Sequence, residues 1–191
     1  MKRDFTSVAG ADVACRRGYL YCAICVLSFP ELRLIEESHA RMREKMPYVP
    51  GFLSFRELPV MIKAYRKLRK KPSLLLVDGQ GIAHPRGLGL ASHAGVVLGL
   101  PTVGCAKSHL YGNYEVPGPE RGSYSFLKVD GKNIGLVLRT RSKVKPLFVS
   151  PGHLVDLLVC RSVVLSTATR YKIPEPLRFA HRRAGHWAKS E

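Results

Sequence analysis

No stretch of the 191-residue sequence stays apolar for the ~18–20 residues that a helical membrane span needs. The opening residues, Met1-Lys2-Arg3-Asp4-Phe5, lack the apolar core of a secretion signal. No membrane partner and a cytoplasmic location are therefore expected, with the five cysteines as reduced thiols. Internal repeats, low-complexity tracts and long linkers are missing as well, which points to one domain over residues 1–191 with a single substantial core. Acidic residues are scarce. Fourteen Asp+Glu stand against 31 Lys+Arg, a formal charge of +17 at pH 7. Such a field disfavours cationic partners and attracts polyanions, of which nucleic acid is the commonest soluble one. An anionic membrane surface is the rival partner, but docking there usually needs a basic amphipathic helix or a lipid signal.

Cys22-Ala23-Ile24-Cys25 has CxxC spacing, yet no second CxxC or histidine pair completes a metal site. Residues 19–27 are short, aromatic and branched, so they read as a strand. Residues three apart on a strand point to opposite faces, so the two sulfurs are expected to be separate buried thiols.

Residues 8–14 read as a first strand, Arg16-Arg17-Gly18 as a turn, and 19–27 as the antiparallel partner, with near-continuous hydrophobicity that implies both faces are covered. Residues 32–42 complete a meander. Pro47-Tyr48-Val49-Pro50-Gly51 is a stiff loop, because two prolines fix φ. Leu58, Met61, Ile62, Tyr65 and Leu68 recur at helical spacing, with Pro59 suited to a first turn. A short buried strand over 74–77 ends in Asp78-Gly79. A small-residue helix over 89–98 and a strand over 102–105 come next, an order that implies parallel pairing through a right-handed crossover. Further strands are expected at 123–129, 134–139 and 147–149, and helices at 153–165 and 177–185. The class is α/β, with three antiparallel strands succeeded by parallel strands and flanking helices.

Three acids have unusual placements. Asp12 interrupts an apolar strand, where a carboxylate is costly unless something compensates it. Asp78 ends a buried strand at the edge where open α/β sheets bind ligands. Glu57 falls at a helix start, where the helix dipole favours its ionised form. Together they can form a site for a hard cation, which prefers oxygen ligands. Taken singly, they can equally be a turn-side residue, a turn former and a helix cap.

The order of short motifs separates those readings. Residues 47–57, PYVPGFLSFRE, resemble the PYxPGxLxFRE signature of the endonuclease V family, and 78–95, DGQGIAHPRGLGLASHAG, is similar to its DGxGxxHPRxxGxAxHxG block. Gly104-Cys105-Ala106-Lys107, Ser150-Pro151-Gly152-His153 and Ile173-Pro174-Glu175-Pro176-Leu177-Arg178-Phe179-Ala180-His181 also match in order and spacing, so the resemblance runs from Val8 to His181. It implies a ribonuclease H-like mixed sheet and a Mg²⁺-dependent endonuclease, with Mn²⁺ able to substitute. The reaction it implies is hydrolysis of the second phosphodiester bond 3′ to deoxyinosine in DNA, for repair of deaminated bases. The alternative is an inosine-specific endoribonuclease. A monomer is expected.

Carried onto this sequence, the resemblance implies active-site acids at Asp12, Glu57 and Asp78, all three on the metal, with His181 as the late histidine and Lys107 near the scissile phosphate. The DNA wedge falls on Pro47, Tyr48, Val49 and Pro50, and the base pocket on Gly51, Leu53, Gly79, Gly81 and Gly104. His84 and His93 are candidates to brace the glycine-rich loop. Basic residues over 63–71, with Arg139, Arg141, Lys143 and Lys145, form a candidate phosphate track or a solvated face. Two departures stand out: an N-terminal helix of longer relatives is expected to be absent, and the basic segment 182–187 has no matched role.

Overall fold

A tight hairpin sets the direction of the central strand and so of the sheet around it. In the computed structural model, which describes residues 5–49 and 51–191, β1 (Ser7–Arg16) and β2 (Tyr19–Ser28) pair antiparallel through a two-residue loop. Arg17 and Gly18 both take positive φ (50° and 74°), the tight turn whose twist suits a hairpin. β3 (Leu34–Arg43) pairs with β2 and completes the meander. It starts two residues later than expected, because Leu32 adopts φ 58° and donates its N–H to the Ser28 carbonyl, closing a turn first.

α1 (Leu53–Lys67) starts five residues earlier than the apolar periodicity suggests, which places Pro59 inside the helix. The proline removes the hydrogen bond to the Phe55 carbonyl, and Phe55 is itself exposed, where water can serve as donor. β4 (Leu74–Val77), α2 (Leu90–Leu98) and β5 (Thr102–Ala106) come next as expected, with β1, β4 and β5 all parallel. β6 (Tyr124–Val129), β7 (Lys132–Leu138) and β8 (Leu147–His153) then form an antiparallel wing, so the sheet order is β3-β2-β1-β4-β5-β8-β7-β6. β8 runs on to His153, which delays α3 (Leu157–Thr167) until Asp156 can cap it by accepting from the Val159 N–H at 2.8 Å. α4 (Glu175–Ser190) closes the fold.

The sheet has a core on each face. On one, Ala9, Ala11, Cys22 and Ile24 pack under Val60, Met61 and Ala64 of α1 and Ala91 and Ala94 of α2. On the other, Val8, Leu76, Val103 and Val149 pack under Cys160 and Val164 of α3 and Leu177 of α4. Cys22 and Cys25 are free, buried and divided between the faces. Burial pushes the Cys25 thiol up to about 12, as for a structural thiol, and the two sulfurs share no face of the sheet. Among the described residues, no helix is long and apolar enough to cross a membrane.

Candidate active site

Two parallel strands, β4 and β5, end beside the middle of a third, β1, and each of the three delivers one charged group. Asp12 lies on β1 just beyond the Ala11↔Val77 pair, and the Asp78 N–H donates to the Ala11 carbonyl at 3.3 Å as β4 ends. Lys107 is the first residue after β5, and its ammonium is ion-paired with the Asp78 carboxylate. α4 supplies the fourth group: His181 Nδ1 lies 2.9 Å from Asp12 Oδ2. The carboxylate accepts there, so Nδ1 donates and Nε2 takes no part in that bond. The acids are nearly enclosed, with Asp12 and Asp78 side chains 12% and 19% exposed, whereas His181 is 64% exposed.

Ligand atoms of Asp12, Asp78 and His181 all lie within 4.8 Å of one another, and among the described residues this is the group able to surround a metal ion. Its electrostatics fit a divalent cation. Burial, then the Asp78 charge, raises the Asp12 pKa, while His181 and Lys107 pull it back. Two nearly enclosed carboxylates with one lysine paired to Asp78 are short of positive charge. Two carboxylates suit Mg²⁺ or Mn²⁺, and one imidazole beside them is tolerable to the softer of the two.

Glu57 stands outside that 4.8 Å group. The expectation that a helix dipole keeps it ionised is corrected by its environment. Glu57 is the fifth residue of α1, and burial, followed by the Asp12 charge, pushes its carboxyl up to about 8. The dipole acts over the first turn only and is worth less than that desolvation. Glu57 therefore neighbours the two aspartates electrostatically, where a cation would restore its charge.

The motif loops are tied to this centre. The carbonyl of Gly51, which takes φ 81°, accepts from the Arg86 guanidinium at 3.2 Å, and that guanidinium also covers the Phe52 ring at 3.9 Å. Tyr48 projects beyond the loop, 61% exposed, with Arg56 6.0 Å from its ring centre and Arg56 ion-paired with Glu44 at 2.8 Å. Pro47 and Val49 are also exposed; Pro50 lies outside the described residues. Leu53 opens α1 and packs on the core.

The pocket glycines divide into two kinds. At Gly79 an added Cβ would meet only the Leu90 side chain, at 3.3 Å. At Gly81 it would strike the Pro151 carbonyl oxygen at 2.0 Å, and at Gly104 the Gly81 nitrogen at 2.3 Å. Those two are required because backbone segments cross there, whatever else the loop binds. Ser150, whose motif had no assigned role, accepts the Gly81 N–H at 2.8 Å, and Pro151 accepts the Ile82 N–H. The Gln80 side chain donates to the Ser108 carbonyl at 3.2 Å, linking the loop to the segment after Lys107. His84 is buried and accepts from the Arg86 N–H at 3.2 Å, and burial with the Arg86 charge lowers its pKa, so it braces the loop. His93 packs edge-on against Phe55.

Within the candidate phosphate track only Arg139 is corrected, to an internal brace, while the basic residues of α1 stay exposed. Lys63, Lys67 and Lys71 donate to the carbonyls of Arg41, His39 and Leu68, stapling α1 to β3 and capping its own end. Arg139 is buried and donates to the carbonyls of Pro117, Gly118 and Val144. Arg141, Lys143 and Lys145 remain exposed.

Comparison with known proteins bears on the fold and the family. The profile of the endonuclease V family matches residues 1–182. Endonuclease V of Dictyoglomus thermophilum is 47% identical over 179 residues, 94% of this chain and 78% of that protein. The crystal structure of endonuclease V from Streptomyces avermitilis superposes with a TM-score of 0.92 at 42% identity, over 96% of this chain and 82% of that one. Endonuclease V of Ciona intestinalis, crystallised with a 24-mer DNA containing an inosine followed by a ribo-adenosine, gives 0.84 at 26% identity, over 97% and 87%. The mixed sheet is thus the ribonuclease H-like arrangement of those structures.

Proposed function

The chain belongs to the endonuclease V family, and from that premise we propose that it is a Mg²⁺-dependent endonuclease of deaminated DNA. The proposed reaction hydrolyses the second phosphodiester bond 3′ to deoxyinosine and leaves 3′-hydroxyl and 5′-phosphate ends. The observation that carries this reading is the meeting of Asp12, Asp78 and His181 within 4.8 Å beside Lys107, in a chain of charge +17.

Asp12 and Asp78 would hold the ion, with Glu57 behind them. When bound, the ion supplies Lewis-acid polarisation of a phosphoryl oxygen. The protein's own groups divide the remaining tasks. Lys107, held by Asp78, offers an ammonium to charge building on the phosphoryl oxygens. His181, oriented through Nδ1 by Asp12, can take a proton from water at Nε2. Tyr48, exposed on its loop, would fill the gap left by an extruded base. The loops around Gly51, Gly79 and Leu53 offer main-chain groups to the edge of that base. One copy of the chain contains all these groups, in keeping with action as a monomer.

Inosine-specific cleavage of RNA is the second reading. It is favoured by the ribo-adenosine next to inosine in the DNA bound by the Ciona relative. The deciding assay incubates the purified chain with matched inosine-containing DNA, RNA and single-ribose hybrid strands, in Mg²⁺ or chelator. Nicking of inosine strands in Mg²⁺ alone is expected. Equal cutting of adenine controls, or full activity in chelator, rejects the assignment. Cutting of only the ribose-containing strands would assign the chain to RNA.

A further inference from the structure

The far edge of the antiparallel wing carries aromatic surface that the catalytic centre does not use. Tyr124 and Phe126 alternate onto one face of β6, 42% and 37% exposed, with rings 5.6 Å apart edge to face. The Arg161 guanidinium of α3 lies 4.9 Å from the Tyr124 ring centre, and among the described residues its Nε has no hydrogen-bond partner. Tyr114 and Lys128 help line a groove of about 440 Å³ beside them. Clustered exposed aromatics usually mark a contact surface. The backbone at this edge is partly taken: Asn113 and Lys128 exchange both N–H···O bonds at 2.8 Å, and Ser125 Oγ donates to the Glu115 carbonyl. Strand pairing with a second copy is thereby blunted, and what the edge offers is rings.

Register ties these rings to the catalytic end. Ala106, Phe148, Val137 and Ser125 are successive partners across β5, β8, β7 and β6. Lys107 and Tyr124, each one residue further toward the same end, are therefore three strand spacings apart, roughly 14 Å. The ground between them is cationic. Lys145 lies two residues before β8, and Thr140 Oγ1 donates to the Lys172 carbonyl at 2.6 Å. Burial and the charges of Lys145 and Lys107 lower the Lys172 pKa, so the three ammoniums share one neighbourhood.

We propose that this wing carries a single-stranded flank of the nucleic-acid substrate: Lys145 and Lys172 take its phosphates beyond Lys107, and Tyr124 and Phe126 stack its bases. Cations leading to stacked rings are how proteins hold unpaired strands without reading sequence. At about 3.4 Å per stacked nucleotide, the rings engage the strand roughly four nucleotides from the scissile phosphate. The inference rests on the nucleic-acid cleavage reading above, though not on inosine.

The test uses the full chain in chelator and fluorescein-labelled single strands with a central inosine and flanks of either two or eight nucleotides, with binding read by fluorescence anisotropy. Tyr124→Ala/Phe126→Ala should bind the long strand about ten-fold more weakly than wild type, while short-strand binding and Mg²⁺-dependent nicking of the short strand stay within about two-fold. Tyr124→Phe/Phe126→Tyr keeps both rings and should keep the long-strand affinity, which separates stacking from damage to the fold. Unchanged long-strand affinity in the alanine variant, or equal losses on both lengths, overturns the proposal. So does sedimentation showing a wild-type dimer that the alanine variant dissolves, since the face is then an interface between copies. Exchanging inosine for adenine should leave the length effect intact. Absent nicking with an intact length effect counts against the catalytic reading alone.

Discussion

Gly10 controls the position of His181 from a distance, and Gly10→Ala should show it. Gly10 lies on β1 under the start of α4, where an added Cβ would sit 2.2 Å from both the carbonyl carbon and oxygen of Pro176 and 2.5 Å from the Leu177 nitrogen. Ordinary contact begins near 3.4 Å, so the backbone at the head of α4 must retreat by about 1 Å or more. No flexible side chain is available to yield instead. His181 is on the same helix less than two turns later, and its bond to Asp12 has 2.9 Å to begin with. A rigid retreat of that size stretches it to roughly 4 Å, past hydrogen-bond range. Overpacking of this kind costs about 1–3 kcal/mol, a fall in Tm of roughly 3–10 °C for a chain of this length. Nicking, measured well below the new Tm, should fall about as far as in His181→Ala, on the order of 10²-fold or more. Combining the two substitutions should add little, because both remove the same contact. Wild-type activity in Gly10→Ala, or multiplicative losses in the pair, would refute the linkage between the glycine and the imidazole.

Asp78→Asn should abolish nicking while tightening strand binding in chelator by about 1 kcal/mol or more, since one negative charge leaves and Lys107 is released from its ion pair; weaker metal-free binding would count against this. Glu57, at about 8 when folded against 4.5 as the ordinary value, holds its proton more tightly in the folded chain, so its contribution to stability is complete below pH 4.5 and is lost as pH rises through 8. Chelated protein should accordingly lose up to about 1.4 kcal/mol per pH unit between pH 6 and 8 in denaturant titrations. Glu57→Gln should flatten that slope and Mg²⁺ should offset it; a slope unaffected by the substitution would assign the effect elsewhere. Tyr48→Ala should narrow discrimination between inosine and adenine with Tm nearly unchanged, as expected for so exposed a side chain; equal discrimination would remove the wedge role.

Much of the sheet was legible because its strands announce themselves locally. β1, β2, β4 and β5 are apolar runs bounded by turn residues, and the opposed faces of Cys22 and Cys25 follow from strand periodicity alone. The directions of β6 to β8 were not legible, since antiparallel pairing there depends on which neighbour each strand meets. Arg139 has the composition of a phosphate ligand, yet its acceptors come from residues 117, 118 and 144, brought together only by folding. Glu57 was misjudged for a similar reason: helix position is local, but desolvation by the core and repulsion by Asp12 are not. Asp12, Asp78, Lys107 and His181, which the resemblance singled out at distant points of the chain, lie together in the fold. That the imidazole grips Asp12 itself was invisible before α4 was seen crossing β1.

The Asp12–His181 contact joins positions 169 residues apart, and the helix bearing the imidazole follows all eight strands in chain order. Until that helix docks, Gly10 and Cys25 lack their cover and Asp12 lacks its imidazole partner. The site is therefore completed by tertiary docking of α4 onto β1, and no local segment of the chain holds it alone.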